Sequence, residues 1–192
     1  MKIGLYFGSF NPIHTGHCII ANFIATNTDL QQVWFVVSPQ NPFKPAAALL
    51  NEYDRLHLVK LAIDNMPNLR ASDIEFHLPR PSYTIDTLTY LEEKFPQHSF
   101  SVILGSDGLQ NFSKWKNAGG LAEKYNFYVY PRPGFPVETG TEAPLPNMTI
   151  VEAPMLDISA TFIRNMIRNG KDIRFLVPDP VKEEIEKNLY YR

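Results

Sequence analysis

Two histidines, His14 and His17, are the side chains of this sequence best placed for chemistry on a phosphate. They end the block G-S-F-N-P-I-H-T-G-H, which starts at Gly8. The apolar run at residues 2–7 predicts a buried strand before this block, and the apolar segment at residues 18–24 predicts a helix after it. The first turn of a helix presents free backbone N–H groups and a positive dipole end, and both attract anions. The sequence therefore predicts a phosphate site here, with both imidazoles on one side of the helix start.

Other polar residues follow predicted strands or begin predicted helices. Lys44, Asp107 and Arg132 each come shortly after an apolar run that predicts a strand. Ser159 is suited to cap a further predicted helix, which also carries Arg164. In an open parallel sheet, ligands bind beyond the carboxyl ends of the strands. We therefore expect these residues to border the same cleft as the histidines.

The elements that must position these residues alternate along the chain between apolar strands and amphipathic helices. Further strands are predicted at residues 69–76 and 148–153. A helix is predicted at residues 51–65, with Arg55 on its solvated face or in a helix salt bridge. This alternation predicts an α/β fold with a doubly wound parallel sheet of Rossmann type. Gly8 lacks the companions of a G-x-G-x-x-G fingerprint, and no acid follows at the ribose position, so an oxidoreductase is disfavoured.

One more helix is predicted to start in the loop at residues 80–88 and to end near Phe95. Ser82 or Thr84 is suited to cap it, and Asp86 complements its dipole. Trp115 follows later among lysines, where an indole either packs on the surface or stacks on a flat ring. Its role is therefore open from spacing alone.

Composition narrows the class of protein. A length of 192 residues favours a single domain over residues 1–192. The formal net charge is −2, so no nucleic-acid partner is expected. The chain shows no basic leader and no apolar run long enough to span a bilayer, so we expect no membrane partner and a cytoplasmic location. The single cysteine, Cys18, is expected in the core. The oligomeric state is left open, a homo-oligomer included.

The block ending at His17 and the segment I-S-A-T-F-I-R, residues 158–164, resemble the two signatures of a nucleotidyltransferase superfamily. That superfamily transfers AMP or CMP from a nucleoside triphosphate to a small phosphorylated acceptor. The resemblance implies that both histidines contact the triphosphate and that the backbone of the glycine loop lies against it. Ala160 replaces the usual hydroxyl of the second signature, which removes one expected contact. The implied ATP-binding residues are Gly8, Ser9, Phe10, His14, His17, Ile158, Ser159, Thr161 and Arg164.

Four further segments resemble one branch of that superfamily, the nicotinate mononucleotide adenylyltransferases. They are N-P-F-K-P around Lys44, P-S-Y-T-I-D-T-L around Thr84, G-S-D followed by Trp115, and R-P-G from Arg132. The resemblance implies that the backbone at the helix start near Thr84 helps to hold the nicotinate carboxylate and that Trp115 stacks on the pyridine ring. The implied acceptor-binding residues are Ser9, Lys44, Thr84, Ile85, Asp107, Trp115, Lys116 and Arg132.

The reaction implied by this resemblance joins ATP and nicotinate mononucleotide to give deamido-NAD and pyrophosphate, a step of NAD biosynthesis. The acceptor's phosphate oxygen is already a nucleophile, so in-line attack on the α-phosphorus needs no general base and no covalent intermediate. Mg²⁺ is the expected cofactor, carried with ATP, because no carboxylate cluster marks a metal cage. The predicted catalytic donors are His14, His17, Lys44 and Arg164.

Three other functions stay open from the sequence. The first is the same transfer onto nicotinamide mononucleotide, whose neutral amide would not call for Arg132. The second is adenylyl transfer to phosphopantetheine, although enzymes of that kind lack the S-Y-T-I-D-T-L and R-P-G segments. The third is a nucleotide sensor without catalysis, which the presence of both histidines and Arg164 disfavours.

Overall fold

A computed structural model describes residues 1–40, 49–137 and 145–192. Within these ranges every neighbouring pair of strands is parallel, and the strands lie in the order β3-β2-β1-β4-β5-β6. The doubly wound parallel sheet expected from the sequence is therefore confirmed. The strands are β1 Lys2–Gly8, β2 Gln32–Val37, β3 Leu69–Ser72, β4 Ser99–Gly105, β5 Asn126–Tyr130 and β6 Met148–Ile150.

Helices follow most strands and carry the chain back to the amino end of the next strand. The order of the sheet reverses beside β1, because the chain winds outward to β3 and then returns to place β4 on the other side of β1. Such a reversal opens a crevice at the carboxyl ends of the two central strands. The helices described are α1 Thr15–Asn27, α2 Glu52–Ala62, α3 Thr84–Lys94, α4 Ser106–Leu109, α5 Ala118–Lys124, α6 Ala160–Arg168 and α7 Asp179–Asn188.

Each face of the sheet carries its own apolar core. Successive side chains of a strand point to opposite faces, and in β2 Phe35 packs in one core while Trp34 and Val36 pack in the other. A continuous apolar run is therefore required where both faces are covered. Ile24 and Ile163 bring α1 and α6 onto the first face.

Two strands are shorter in the structure than the sequence predicts. The strand predicted at residues 69–76 ends at Ser72, and a 3₁₀ helix, Ile74–His77, follows it. That turn sends the Glu75 carboxylate into the interior, where two hydroxyls donate to it. The strand predicted at residues 148–153 ends at Ile150, because the Ala153 N–H turns back to donate to the carbonyl of residue 151 at 2.7 Å.

The described helices are short compared with the thickness of a bilayer. The α1 helix has 13 residues, whereas about 20 apolar residues are needed to cross the hydrocarbon core. None of the helices in the described ranges has the length and apolar character of a membrane span.

Candidate active site

The loop after β1 is shaped by the contact between Gly8 and Phe10. A Cβ atom on Gly8 would lie 2.8 Å from the Phe10 ring, so a larger residue there would displace that ring. Phe10 has a left-handed backbone, φ 45°, and its side chain is buried. The ring meets His17 edge-on, with 5.1 Å between ring centroids. The Phe10 ring therefore packs against the imidazole of His17.

The two histidines stand together at the start of α1. Their rings are stacked, with centroids 3.6 Å apart, and the His14 backbone N–H donates to His17 Nδ1 at 3.3 Å. His14 is 3% exposed, and its Nδ1 has no hydrogen-bond partner within the described residues. Burial, with a smaller contribution from the charge of Arg132, lowers the pKa of His14 to about 4. Its imidazole is therefore neutral near pH 7 and acts as a neutral hydrogen-bonding group.

The second signature begins α6 and reaches across to the first. The Ser159 hydroxyl accepts from the backbone N–H of Phe162 at 3.2 Å, which confirms the expected cap. Arg164 Nη1 donates to the carbonyl of Asn11 at 2.7 Å, and its Nη2 donates to the Thr161 hydroxyl at 3.1 Å. Arg164 Nε is buried without a partner within the described residues. Two segments 153 residues apart in the chain thus meet at one point.

A cleft opens above this meeting point. It joins the start of α1 to the segment before α6 and to the residues that follow β5. Ile158 is among its lining residues, as the sequence predicts for an ATP-binding residue. The cleft is lined by Tyr6, His14, Gly16, His17, Ile20, Tyr130, Pro131, Arg132, Pro154, Leu156 and Ile158.

Arg132 and Asp107 come together at the edge of the cleft. The Arg132 backbone N–H donates to the Ser106 hydroxyl at 2.8 Å, and Arg132 Nε lies 3.9 Å from Asp107 Oδ1. Both residues follow strands, as expected; Arg132 lines the cleft, and Asp107 lies beside Arg132. Arg132 lines the same cleft as the histidines, so its charge lies near the anion site as well as near Asp107.

The start of α3 is held differently from the sequence expectation. Neither Ser82 nor Thr84 caps it: the residue at the cap position is Tyr83, which makes no capping side-chain bond. The Ser82 hydroxyl donates instead to Glu75 at 2.8 Å, and the Thr87 hydroxyl donates to the same carboxylate at 2.9 Å. The buried carboxylate draws these hydroxyls inward, so no side chain caps the first turn.

Trp115 and Lys116 lie near the start of α3. Lys116 Nζ is 2.8 Å from the Asp86 carboxylate and 4.9 Å from the centroid of the Tyr83 ring. The Trp115 ring is partly buried and packs at a tilt on Phe112, with 5.4 Å between centroids. Ile85 packs against the same apolar core. The predicted acceptor residues of these two segments are therefore neighbours.

Ser9 and Lys44 are each predicted to serve both the triphosphate and the acceptor. Lys44 lies outside the described residues. Ser9 is described, and its carbonyl accepts a hydrogen bond from Arg55 Nη1 at 2.6 Å. This hydrogen bond from Arg55 fixes the backbone of the glycine loop.

Similar sequences identify the family to which this chain belongs. The model of the cytidylyltransferase-like family matches residues 5–166, a range that includes both histidines and the second signature. The chain is 55% identical over 191 residues to a probable nicotinate-nucleotide adenylyltransferase of Cytophaga hutchinsonii, covering 100% of this chain and 98% of the relative. It is 48% identical over 192 residues to a probable nicotinate-nucleotide adenylyltransferase of Flavobacterium psychrophilum, covering 100% of both chains. The chain belongs to the nicotinate-nucleotide adenylyltransferase family.

Solved structures share the fold of this family member. A Plasmodium falciparum nicotinic acid mononucleotide adenylyltransferase complexed with NaAD superposes with a TM-score of 0.85 at 22% identity, over 99% of this chain and 97% of the other. The same protein complexed with APC superposes with a TM-score of 0.84 at 22% identity, over 99% and 96% of the two chains. At this level of identity the likeness shows the fold.

The position predicted for Arg55 from the sequence was wrong. Arg55 was expected on the solvated face of its helix or in a helix salt bridge, but it is fully buried beneath the cleft. It is held there because four backbone carbonyls converge on its guanidinium, at 2.6–3.1 Å. Its position in an amphipathic helix gave no signal of this, since three of the carbonyls come from residues that are 16, 17 and 46 positions away.

Two buried tyrosines that line the cleft were also missed. The hydroxyls of Tyr6 and Tyr130 lie 2.9 Å apart, and Tyr6 meets His17 edge-on at 6.0 Å between ring centroids. Burial raises the pKa of both phenols, so both stay protonated. Tyr130 could have been found by its place at the carboxyl end of a strand, two residues before Arg132.

Proposed function

We propose that this chain transfers AMP from ATP to nicotinate mononucleotide, giving nicotinate adenine dinucleotide (deamido-NAD) and pyrophosphate in NAD biosynthesis. The observation that carries the proposal is the junction of the two signatures, where Arg164 donates to Asn11 beside the stacked histidines. Relatives that are 55% and 48% identical are named probable nicotinate-nucleotide adenylyltransferases. The solved neighbour complexed with NaAD supports the same product.

The phosphate side of the cleft supplies donors for the triphosphate. We assign this side to five residues: His14, His17, Ser159, Thr161 and Arg164. The acceptor's phosphate oxygen forms a bond to the α-phosphorus of ATP, and the bond from that phosphorus to the bridging oxygen of pyrophosphate breaks. Donors fixed in place stabilise the charge that moves onto the departing pyrophosphate. Lys44 is assigned to the same role, and this stays a prediction.

The acceptor side supplies contacts for nicotinate mononucleotide. The N–H groups at the start of α3, which no side chain caps, suit the nicotinate carboxylate, and the Trp115 indole is suited to stack on the pyridine ring. Asp107 is suited to accept from ribose hydroxyls, and Arg132 offsets negative charge at the edge of the cleft. We assign this side to Thr84, Ile85, Asp107, Trp115, Lys116 and Arg132.

A divalent metal accompanies the nucleotide in this proposal, and Mg²⁺ is the ion we expect. The described residues contain no group of three or more His, Cys, Asp or Glu side chains that could hold a metal ion. They therefore do not fit a metal centre built by the protein. Phosphate oxygens are the ligands that Mg²⁺ prefers at such sites, so we treat Mg·ATP as the substrate.

Three broader expectations stay predictions. Residues 1–192 are expected to act as one domain, which is supported by α2 and α7 packing into the same core. The location is expected to be cytoplasmic. The oligomeric state is open, a homo-oligomer included.

The proposal is tested by the balance of products. The chain is incubated with Mg·ATP and nicotinate mononucleotide, and the dinucleotide and pyrophosphate are quantified separately. We expect one dinucleotide for each pyrophosphate, and no pyrophosphate when the mononucleotide is omitted. Pyrophosphate without dinucleotide would indicate hydrolysis, and ATP binding without either product would indicate a sensor; both outcomes contradict the proposal.

A further inference from the structure

Arg55 joins three segments of the chain, one of which is the loop that leads to the two histidines. Its Nη1 donates to the carbonyl of Ser9 at 2.6 Å and to the carbonyl of Ser38 at 2.8 Å. Its Nη2 donates to the carbonyl of Pro39 at 3.1 Å, and its Nε donates to the carbonyl of Leu50 at 2.8 Å. A planar guanidinium presents its donors in a fixed fork. The loop after β1, the loop after β2 and the entry to α2 are therefore held at fixed separations.

The same contacts reach the second signature. The Leu50 backbone N–H, beside the carbonyl that Arg55 holds, donates to Asn11 Oδ1 at 3.1 Å. The Asn11 carbonyl accepts from Arg164 at 2.7 Å. The segment from Ser9 to Asn11 is thus fixed at one end by Arg55 and at the other by Arg164. A change at Arg55 is therefore transmitted to the histidines that follow this segment.

Ser38 carries the contact network to the other side of the cleft. Its carbonyl accepts from Arg55, and its side chain lies beside the Glu75 carboxylate. Glu75 is 2% exposed and also accepts from the hydroxyls of Ser82 and Thr87, which flank the first turn of α3. A buried polar group costs free energy unless its partners are present. The carboxylate therefore ties its own 3₁₀ helix to the start of α3 through two hydrogen bonds and lies beside Ser38 of the loop after β2.

We propose that Arg55 and Glu75 are positioning residues, linked through Ser38, that hold the loop after β1 and the first turn of α3 in register across the cleft. Arg55 sets the geometry of the phosphate side, and Glu75 sets that of the acceptor side. The assignment rests on the proposed function, since the two sides are defined by ATP and nicotinate mononucleotide. Neither residue contacts substrate in this assignment; each acts through the backbone that it holds.

The chemistry explains why these residue types are needed. The loops present backbone groups to the substrates, and misplacing a reacting group by about 1 Å can lower a rate on the order of 10²-fold. Lysine keeps the charge of Arg55, but a single ammonium cannot reproduce the fork that spans three segments. Glutamine keeps the shape of Glu75, but its amide nitrogen donates where the carboxylate accepts. Both substitutions therefore disturb geometry while nearly preserving volume.

The test compares steady-state kinetics of Arg55→Lys and Glu75→Gln with those of Val59→Ala. Val59 is fully buried in the apolar core one turn further along α2, and its apolar side chain makes no hydrogen bond, so it controls for lost stability. We expect Arg55→Lys to lower kcat by roughly 10–100-fold, in line with displaced reacting groups. Glu75→Gln should raise KM for the mononucleotide by about fivefold or more, with KM for ATP within about twofold. Val59→Ala should change neither constant below its melting temperature.

Three outcomes would overturn the proposal. The first is wild-type kcat in folded Arg55→Lys, and the second is an equal rise of both KM values in Glu75→Gln. The third is a loss of kcat in Val59→Ala as large as that in Arg55→Lys, since lost stability would then explain the effect. If Arg55→Lys does not fold, the link between Arg55 and Glu75 is tested by Ser38→Ala, which removes the side-chain contact with Glu75 and keeps the carbonyl that accepts from Arg55. The proposal then requires Ser38→Ala to raise KM for the mononucleotide selectively.

The proposed function can fail independently of these residues. If the wild type produces no dinucleotide, the proposed function is refuted. The positioning role of Arg55 is then tested by measuring the affinity for Mg·ATP by calorimetry. Arg55→Lys should then weaken ATP binding relative to Val59→Ala, and equal affinities would refute the positioning role as well.

Discussion

On the phosphate side of the cleft, His14 and Arg164 are held with nitrogens that have no hydrogen-bond partner within the described residues. On the acceptor side, Lys116 lies 2.8 Å from the Asp86 carboxylate and Arg132 lies 3.9 Å from Asp107. The first pair of side chains is buried or partly buried, whereas Lys116 is 51% exposed. One side therefore holds two buried nitrogens without partners within the described residues, and the other holds cations that already have carboxylate neighbours.

This difference has an energetic meaning. A buried polar nitrogen without a partner costs on the order of 1–3 kcal/mol, and a ligand that supplies the missing acceptor recovers that free energy on binding. An exposed ion pair contributes only about 0.2–1 kcal/mol, and it is screened by salt. The phosphate side is thus prepared for its ligand before binding, whereas the acceptor side exchanges one set of ionic contacts for another. Substitutions should accordingly have large effects on the first side and smaller ones on the second.

The largest effect is expected from His17→Ala. Loss of one fixed donor should lower kcat by roughly 10²–10³-fold, because the donor acts on charge that develops during the reaction. The measurement is steady-state pyrophosphate release, with the melting temperature recorded to show that the variant folds. His57→Ala is the matched control, since His57 is an exposed histidine of α2 whose Nε2 lies 3.6 Å from the Glu184 carboxylate of α7. Near-normal turnover in folded His17→Ala would remove His17 from the reaction.

The next effect is a dependence of stability on pH that His14 causes. The unfolded pKa is about 6.5 and the folded pKa is lowered to about 4. Between these values the unfolded chain binds a proton that the folded protein does not, so stability falls as pH falls from 6.5 to 4. The expected loss is about 3 kcal/mol, and His14→Gln should remove it.

The comparison of wild type with His14→Gln isolates this effect. Burial raises the pKa of Glu75, which acts in the opposite direction because protonation in acid relieves the cost of its buried charge. That contribution is common to both proteins and cancels in the difference. Denaturant unfolding at several pH values gives the two curves. Parallel curves for the two proteins between pH 6.5 and 4 would show that His14 is not held neutral in the folded state.

Trp115→Ala should have a moderate effect limited to the acceptor. Stacking of a base on an aromatic ring contributes about 1–3 kcal/mol, so KM for nicotinate mononucleotide should rise about tenfold, with kcat and KM for ATP little changed. The exposed Tyr53, in α2, offers Tyr53→Ala as the aromatic control. Equal rises of KM for both substrates would take Trp115 out of the acceptor site.

The smallest effect is expected from Asp86→Asn. Removal of this carboxylate leaves Lys116 without its ion-pair partner, and the cation becomes available to the acceptor. KM for the mononucleotide should fall by about two- to threefold at low salt, and the difference should vanish at high salt. An unchanged or raised KM at low salt would mean that the ion pair does not compete with the acceptor.

The sequence predicts the residues of the two signatures, but it does not predict the buried residues that support them, Arg55 and Glu75. The alternation of apolar runs and helices determined the sheet, since strands buried on both faces must be continuously apolar. The histidines and Ser159 were found because a helix start has few ways to satisfy its N–H groups. These features depend on neighbours in sequence. Short-range rules therefore suffice for them.

The supporting residues depend on approach in three dimensions. Arg55 contacts carbonyls up to 46 residues away, and a helix pattern contains no record of those partners. Glu75 was assigned to a strand because residues 69–76 alternate loosely, yet its carboxylate collects hydroxyls from the start of α3. The same hydroxyl of Ser82 was expected to cap a helix. Tertiary partners, rather than propensity, decided each of these positions.

The most direct test of the central assignment is a side-by-side measurement of kcat/KM for three acceptors with Mg·ATP: nicotinate mononucleotide, nicotinamide mononucleotide and phosphopantetheine. The start of α3, Arg132 and Lys116 predict a strong preference for the acid over the amide, and no measurable transfer to phosphopantetheine. Equal or greater activity with the amide, or efficient transfer to phosphopantetheine, would contradict the assignment of the acceptor side while leaving the phosphate side intact.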